Sequence, residues 1–317
     1  MIDSTSSSLF GRDLITLPEL TTGQLQELLE TALRIKADPA AYCTTLANRT
    51  IVLLFEKPSL RTRMTFEIGM RKLGGAAIYF DHGSTRIGER ETIHDYARNL
   101  ERWTDAIVAR TFSHATIEQL AEHASIPVIN ALSDFSHPCQ ALADFLTLRE
   151  QFGELRGRTL VYIGDGNNVC HSLLFAAGML GVHLRVVTPP GHAPLPEVVT
   201  AARTAAELSG ATIHVTESLD AVEGADAVYT DTWVSMGQEA EGGLKKSAFE
   251  PYQVNAALMA RAGADARFMH CLPAHRGEEV TDEVIDSPNS IVFDQAENRM
   301  HAQNALLHHL LHQPGSG

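Results

Sequence analysis

Cysteine is scarce: the 317 residues hold only Cys43, Cys139, Cys170 and Cys271, scattered and without a Cys-x-x-Cys pair. That excludes a disulfide scaffold and leaves no structural-zinc pattern, so the thiols read as free in a reducing compartment. Basic residues are also short, 25 Lys and Arg against 39 Asp and Glu for a formal charge of −14. Nucleic acid and anionic membranes are poor partners for such a surface. No apolar run is long enough to span a bilayer. Met1 to Phe10 has a serine run but no basic segment followed by an apolar core, so no signal peptide is expected and the cytoplasm is the default address. Short-period repeats and low-complexity linkers are missing too. What remains is globular, 44% hydrophobic and 20% charged, and long enough for two ordinary domains.

Short apolar runs at 50–55, 76–80, 106–110, 127–131, 159–163, 184–188, 212–215, 227–230, 268–270 and 291–293 read as strands. Helical spacing separates them, from Thr21 or Thr22, from Ser59, and over 92–103, 117–124, 138–152, 195–209 and 298–312. Alternation of this kind predicts an α/β protein whose parallel sheets are flanked by helices. The expected division is a first domain over 1–136, a second over 137–297 joined to it by helices, and a final helix over 298–317 returning to the first. Gly164-x-Gly166 hints at a dinucleotide fold, but Val169 stands where the third glycine belongs. Pro189-Pro190-Gly191 occupies the place of a ribose-binding acid, so NAD is discounted.

The stretch Phe55-Glu56-Lys57-Pro58-Ser59-Leu60-Arg61-Thr62-Arg63 places a strand, a turn and a helix start in succession. Pro58 biases Lys57 away from helix, Ser59 is a good N-cap, and Gly74-Gly75 ends the element. The first amides of such a helix carry the positive end of its dipole, and Arg61, Arg63 and the hydroxyls of Ser59 and Thr62 add to it, a site for phosphate. The competing reading is a surface helix whose arginines pair with Glu56 and Glu67.

Three further stretches stand at expected strand ends or helix starts. His137 and Gln140, three apart, share a helical face and can reach one ligand, although a lone histidine and a buried Cys139 also suit a core. Asp231-Thr232-Trp233-Val234-Ser235-Met236-Gly237 offers a carboxylate for an ammonium group, a hydroxyl, and backbone amides for a carboxylate. It also fits a plain loop with a capping aspartate. His270-Cys271-Leu272-Pro273 closes a strand, and its thiol is either reactive or an inert buried one.

Ser-x-Arg-Thr-Arg after Phe-x-Lys-Pro, His-Pro-x-Gln, Asp-x-x-x-Ser-Met-Gly and His-Cys-Leu-Pro occur in the order found in the aspartate and ornithine carbamoyltransferases, and the chain resembles that family from about residue 55 to 300. The Ser-Met-Gly and His-Cys-Leu-Pro forms are of the ornithine type. The resemblance implies transfer of a carbamoyl group from carbamoyl phosphate to the δ-amine of L-ornithine, without metal or organic cofactor, in a homotrimer or a multiple of trimers with shared active sites. It assigns Ser59, Leu60, Arg61, Thr62, Arg86, Arg110, His137, Gln140, Leu272 and Arg299 to carbamoyl phosphate. Asn168, Asp231, Ser235, Met236 and Cys271 go to ornithine, and Arg110, His137, Asp231 and Cys271 are the implied catalytic groups. Arg299 is expected at the start of the last helix. Two positions depart from the family pattern: Leu60 replaces a threonine, and Arg86 stands where ornithine enzymes usually present glutamine in a loop reaching the neighbouring subunit. Other amine acceptors, such as putrescine or an N-acylated ornithine, and an inactive ligand-binding relative are the competing functions.

Overall fold

The apolar runs pair into two all-parallel sheets. A computed structural model describes residues 8–82, 86–234 and 242–313. One compact unit comprises the residues up to Leu146 together with those from Asn298 onward, and the other is Thr147–Glu297.

In the first unit, α1 (Thr22–Ala37) opens with a reciprocal cap in which the Thr21 hydroxyl accepts from the Gln24 amide and Gln24 accepts from the Thr21 amide. The sheet follows as β1 (Thr50–Phe55), β2 (Ala76–Asp81), β3 (Ala106–Arg110) and β4 (Val128–Leu132), in the order β2-β1-β3-β4. Helices α2 (Leu60–Lys72), α3 (Ile93–Leu100) and α4 (His114–His123) make the crossovers. Val52, Leu54, Ile107 and Ala109 form the core with Ala97 of α3 and Ile117 and Leu120 of α4. β1 is buried along nearly its whole length, as its unbroken branched run requires.

The division into units falls within α5 (Pro138–Phe152), after Leu146, instead of ahead of it at residue 136. Its first turns belong with the first unit because Cys139 Sγ donates to the Asn130 carbonyl and Gln140 accepts from Arg299.

The second unit repeats the alternation with β5 (Thr159–Ile163), α6 (Asn168–Leu180), β6 (His183–Val187), α7 (Pro196–Ser209), β7 (Ile213–Thr216), β8 (Ala227–Thr230), α8 (Gly242–Phe249), α9 (Ala256–Ala262), β9 (Arg267–His270) and α10 (Asp282–Ile285). Its strand order is β7-β6-β5-β8-β9. Val161, Ile163, Val228 and Phe268 pack with Leu258, Val284 and Ile285 in its core.

One expected strand is absent. Residues 292 and 293 belong to α11 (Val292–Leu311), and Ile291 stands just ahead of it, its carbonyl accepting from the Gln295 amide. A short branched run reads the same in either state. Here pairing stops at a single bridge between Phe268 and Ser290, and Phe293 is 70% exposed, which a buried strand would not tolerate. The helix therefore starts six residues before the expected 298, and Arg299 lies two turns inside it.

From Asn298 onward α11 belongs to the first unit. Lys36 Nζ donates to Asn298 Oδ1 at 2.9 Å, His309 Nε2 lies 2.9 Å from Thr31 Oγ1, and a Cβ on Gly69 of α2 would overlap Asn304. His308 meets Tyr42 edge-on and stacks on His312 at 4.8 Å between ring centroids. Burial, then the neighbouring His312, His309 and Arg34, push its pKa down to about 4. The unfolded imidazole, ordinarily near 6.5, takes up its proton first. The stability contributed by this group is thus present above about pH 6.5 and lost as pH falls from there through 4. The thermal midpoint is expected to drop over that window, and His308→Gln, followed by circular dichroism, is expected to flatten the drop; an unchanged slope would assign it to other histidines.

Candidate active site

In an open parallel sheet, ligands bind where neighbouring strands send their connections to opposite sides. In the first unit that point lies between β1 and β3, because β1 leads to β2 on one side and β3 to β4 on the other. Both strand ends carry predicted site residues.

After β1 the chain turns through Pro58 and Ser59 caps α2, its hydroxyl accepting from the Thr62 amide at 3.3 Å. Leu60, Arg61 and Thr62 form the helix's first turn, with Leu60 75% exposed, Arg61 half-buried and Thr62 buried. Arg110 ends β3 and is buried. Arg299 joins them from α11: Nη2 donates to Thr62 Oγ1 at 2.9 Å and Nη1 to Gln140 Oε1 at 2.5 Å. Gln140 in turn donates through Nε2 to Asp144 Oδ1 at 2.7 Å.

His137 is buried just ahead of α5. Its pKa is held well below the usual value by burial first, then by the Arg299 and Arg110 guanidiniums. It is therefore neutral at physiological pH and offers one N–H. The first unit so gathers Thr62, Arg110, His137, Gln140 and Arg299 beside the amino end of a helix. Two buried cations and a neutral donor suit a phosphate attached to a polar carbonyl group.

Arg86 is exposed, with its guanidinium 4.8 Å from the centre of the Phe112 ring and its amide donating to Glu89 Oε2.

In the second unit the corresponding point lies between β5 and β8. Thr230 and His270 are register partners, so the next residues, Asp231 and Cys271, leave adjacent strand ends. Cys271 Sγ donates to Asp231 Oδ1 at 2.9 Å, and the Thr232 amide donates to the same oxygen at 2.7 Å. Asn167, which sequence reasoning passed over for its neighbour, donates through Nδ2 to Asp231 Oδ2 at 2.8 Å while its Oδ1 caps α6 by accepting from the Val169 and Cys170 amides. The available signal was its N-cap position, since a capping side chain is fixed in direction. Asn168, half-buried on the first turn of α6, accepts from the Val169 amide at 2.9 Å.

Leu272 has a φ of 56°, a left-handed conformation that is rare for a bulky residue. Its amide is held by donation to His270 Nδ1 at 2.8 Å, and His270 Nε2 lies 3.2 Å from Glu279 Oε1. Ser235 and Met236 lie outside the described residues. Gly166 has a packing reason of its own, since a Cβ there would overlap the backbone of Ala193 and Pro194. The buried thiols separate from Cys271: burial pushes Cys139 up to about 12 and Cys170 well above its ordinary value, whereas Cys271 is half-buried beside a carboxylate.

Comparison with known proteins matches residues 12–150 to the carbamoyl-P binding domain and residues 156–310 to the Asp/Orn binding domain of aspartate/ornithine carbamoyltransferases. A protein from Shewanella oneidensis named ornithine carbamoyltransferase is 54% identical over 296 residues, 93% of this chain and 98% of that one. The solved structure of ornithine carbamoyltransferase from Pyrococcus furiosus superposes with a TM-score of 0.93 at 49% identity, covering 96% of this chain and 98% of that one. The enzyme from Thermus thermophilus gives 0.85 at 45% identity, with coverages of 94% and 98%.

Proposed function

The chain belongs to the aspartate/ornithine carbamoyltransferase family, and on that premise we propose that it is an ornithine carbamoyltransferase, converting carbamoyl phosphate and L-ornithine to L-citrulline and phosphate. The observation that carries the choice of acceptor is the Asp231–Cys271 contact, a fixed carboxylate and a thiol at adjacent strand ends of the second unit.

Carbamoyl phosphate is assigned to the first unit. Its phosphate takes the amides at the start of α2, with Ser59, Arg61 and Arg110. The Leu60 side chain points to no polar role, but the amide at that position remains a donor. Thr62, Arg110 and His137 donate to the carbonyl oxygen, which becomes an oxyanion when the amine adds. Gln140, held by Arg299, and the Leu272 carbonyl accept from the carbamoyl amide. Ornithine is assigned to the second unit, its carboxylate to Asn168 and the Ser235-Met236 loop, its ammonium groups to Asp231 and Cys271.

The δ-ammonium first loses a proton, for which Asp231 and Cys271 are the adjacent acceptors. The neutral amine adds to the carbonyl carbon, a C–N bond forms, and the oxyanion is held by preorganised donors instead of by water that must reorient. Collapse breaks the C–O bond to phosphate. The leaving phosphate carries away the second amine proton, and citrulline remains. No step calls for a metal or an organic cofactor.

A homotrimer with Arg86 serving a neighbouring site is part of the same reading. It is supported by the apolar edge of the first unit, where Ile78 is 55%, Phe80 50% and Trp103 71% exposed, more than scattered surface residues usually present together. A cytoplasmic protein fits the free thiols.

A citrulline assay with ornithine, putrescine, aspartate and N-acetylornithine as acceptors tests the assignment. Ornithine is expected to be the preferred acceptor by a wide margin. Carbamoylation of putrescine or N-acetylornithine in preference would move the chain to another acceptor, and no turnover with any of them would make it an inactive relative.

A further inference from the structure

Glu56 has no part in the reaction as drawn, yet its carboxylate is among the most constrained side chains of the first unit. It directly follows β1 and is 7% exposed. Its own amide donates to the Arg110 carbonyl at 2.9 Å, which ties the ends of β1 and β3 together at the point where their connections part. Its two oxygens then do separate things. Oε1 accepts from the Ile87 amide at 2.8 Å, and Oε2 accepts from the Phe112 amide at 2.8 Å.

Those two amides belong to segments far apart in sequence that meet at Arg86. Ile87 is the next residue after it. Phe112 supplies the ring over which the Arg86 guanidinium stands at 4.8 Å, and the same ring takes the Lys57 ammonium at 4.6 Å. One carboxylate thus fixes both the main chain beside Arg86 and the aromatic platform under its charged end. An isolated cation–π contact at an exposed site is weak, about 0.5–1 kcal/mol, so the arginine depends on its platform being held.

We propose that Glu56 is a positioning residue for anion binding: it sets the place from which Arg86 reaches the phosphate of the neighbouring subunit's site, through Ile87 on one side and Phe112 on the other. The inference rests on the reading that Arg86 contacts carbamoyl phosphate. The residue type follows from the geometry. A carboxylate offers two acceptor atoms facing two donors, whereas glutamine offers one acceptor and turns its NH2 toward the second amide. Aspartate is a methylene too short to reach both.

The test compares the wild-type protein with Glu56→Gln, Arg86→Ala and the double variant. Glu56→Gln is expected to raise the carbamoyl-phosphate KM about tenfold, the loss of roughly one charge-assisted hydrogen bond. Turnover at saturating substrate and the ornithine KM should stay within about twofold. Because the effect passes through Arg86, the double variant should be little worse than Arg86→Ala alone. Hydrogen exchange of the Ile87 and Phe112 amides should quicken in Glu56→Gln, a readout independent of activity. Multiplicative losses in the double variant would overturn the proposal, as would a lowered melting temperature with an unchanged KM. Silence of Arg86→Ala in an enzyme that makes citrulline would overturn this inference alone. A wild-type protein that makes no citrulline would instead overturn the functional reading on which it rests.

Discussion

His137→Ala is expected to lower kcat by about a hundred- to a thousandfold, the usual cost of removing one preorganised donor to an oxyanion. The carbamoyl-phosphate KM should change far less, because the interaction strengthens only as the carbonyl oxygen gains charge. His137 lies beside two guanidiniums and away from solvent, so its proton affinity is depressed and it enters the reaction neutral. The wild-type kcat profile between pH 6 and 8 should accordingly show no limb that disappears in His137→Gln. Steady-state kinetics over that range check both points. A rise in KM with kcat intact would make His137 a ground-state contact, and a limb lost with the imidazole would make it a titrating acid or base.

Asp231→Asn should weaken ornithine selectively. Truncating one partner of a desolvated charge pair costs about 2–5 kcal/mol, or roughly 30- to several thousandfold in kcat/KM for ornithine. The substitution is nearly isosteric, yet the new amide cannot settle quietly. Its oxygen has to stay toward the Thr232 amide, which turns its NH2 toward Asn167 Nδ2, and Asn167 cannot rotate away because its oxygen caps α6. Two donors then face each other. Phosphate binding, measured calorimetrically with inorganic phosphate, should be nearly unchanged. Loss of phosphate affinity with ornithine kinetics intact would remove Asp231 from the acceptor subsite.

Several parts of the candidate site were legible because the physics that places them is local. Ser59 reads as an N-cap and is one, since capping needs only residues within a turn. Nine of the ten short apolar runs became strands at or within a residue of their expected positions; for central strands such as β1 and β3 this is because burial on both faces of a parallel sheet demands an unbroken apolar run. The tenth, 291–293, shows the limit of that argument. The same residues suit the buried start of a helix, and only the end of the sheet pairing at Phe268 decides between them.

The residues that escaped or shifted are those whose roles depend on distant partners. Arg299 was expected at a helix start and lies two turns inside α11, where it reaches Thr62 and Gln140. Asn167 and Asn168 are equivalent as text; the structure gives the first to Asp231 and the helix cap. Glu56 looked like a partner for the helix arginines, but Arg63 pairs with Glu67 and Glu56 turns to Ile87 and Phe112.

Sequence by itself determined the α/β class, the helix starts that present amides and hydroxyls, and the motifs at strand ends, all set by preferences acting within a few residues. Only the tertiary structure decided that β1 lies beside β3 and β8 beside β9, which brings Arg110 to the β1 cradle and Asp231 to Cys271. Strand order follows from how whole crossovers pack against a sheet. No local pattern encodes it, although every contact in the two half-sites depends on it.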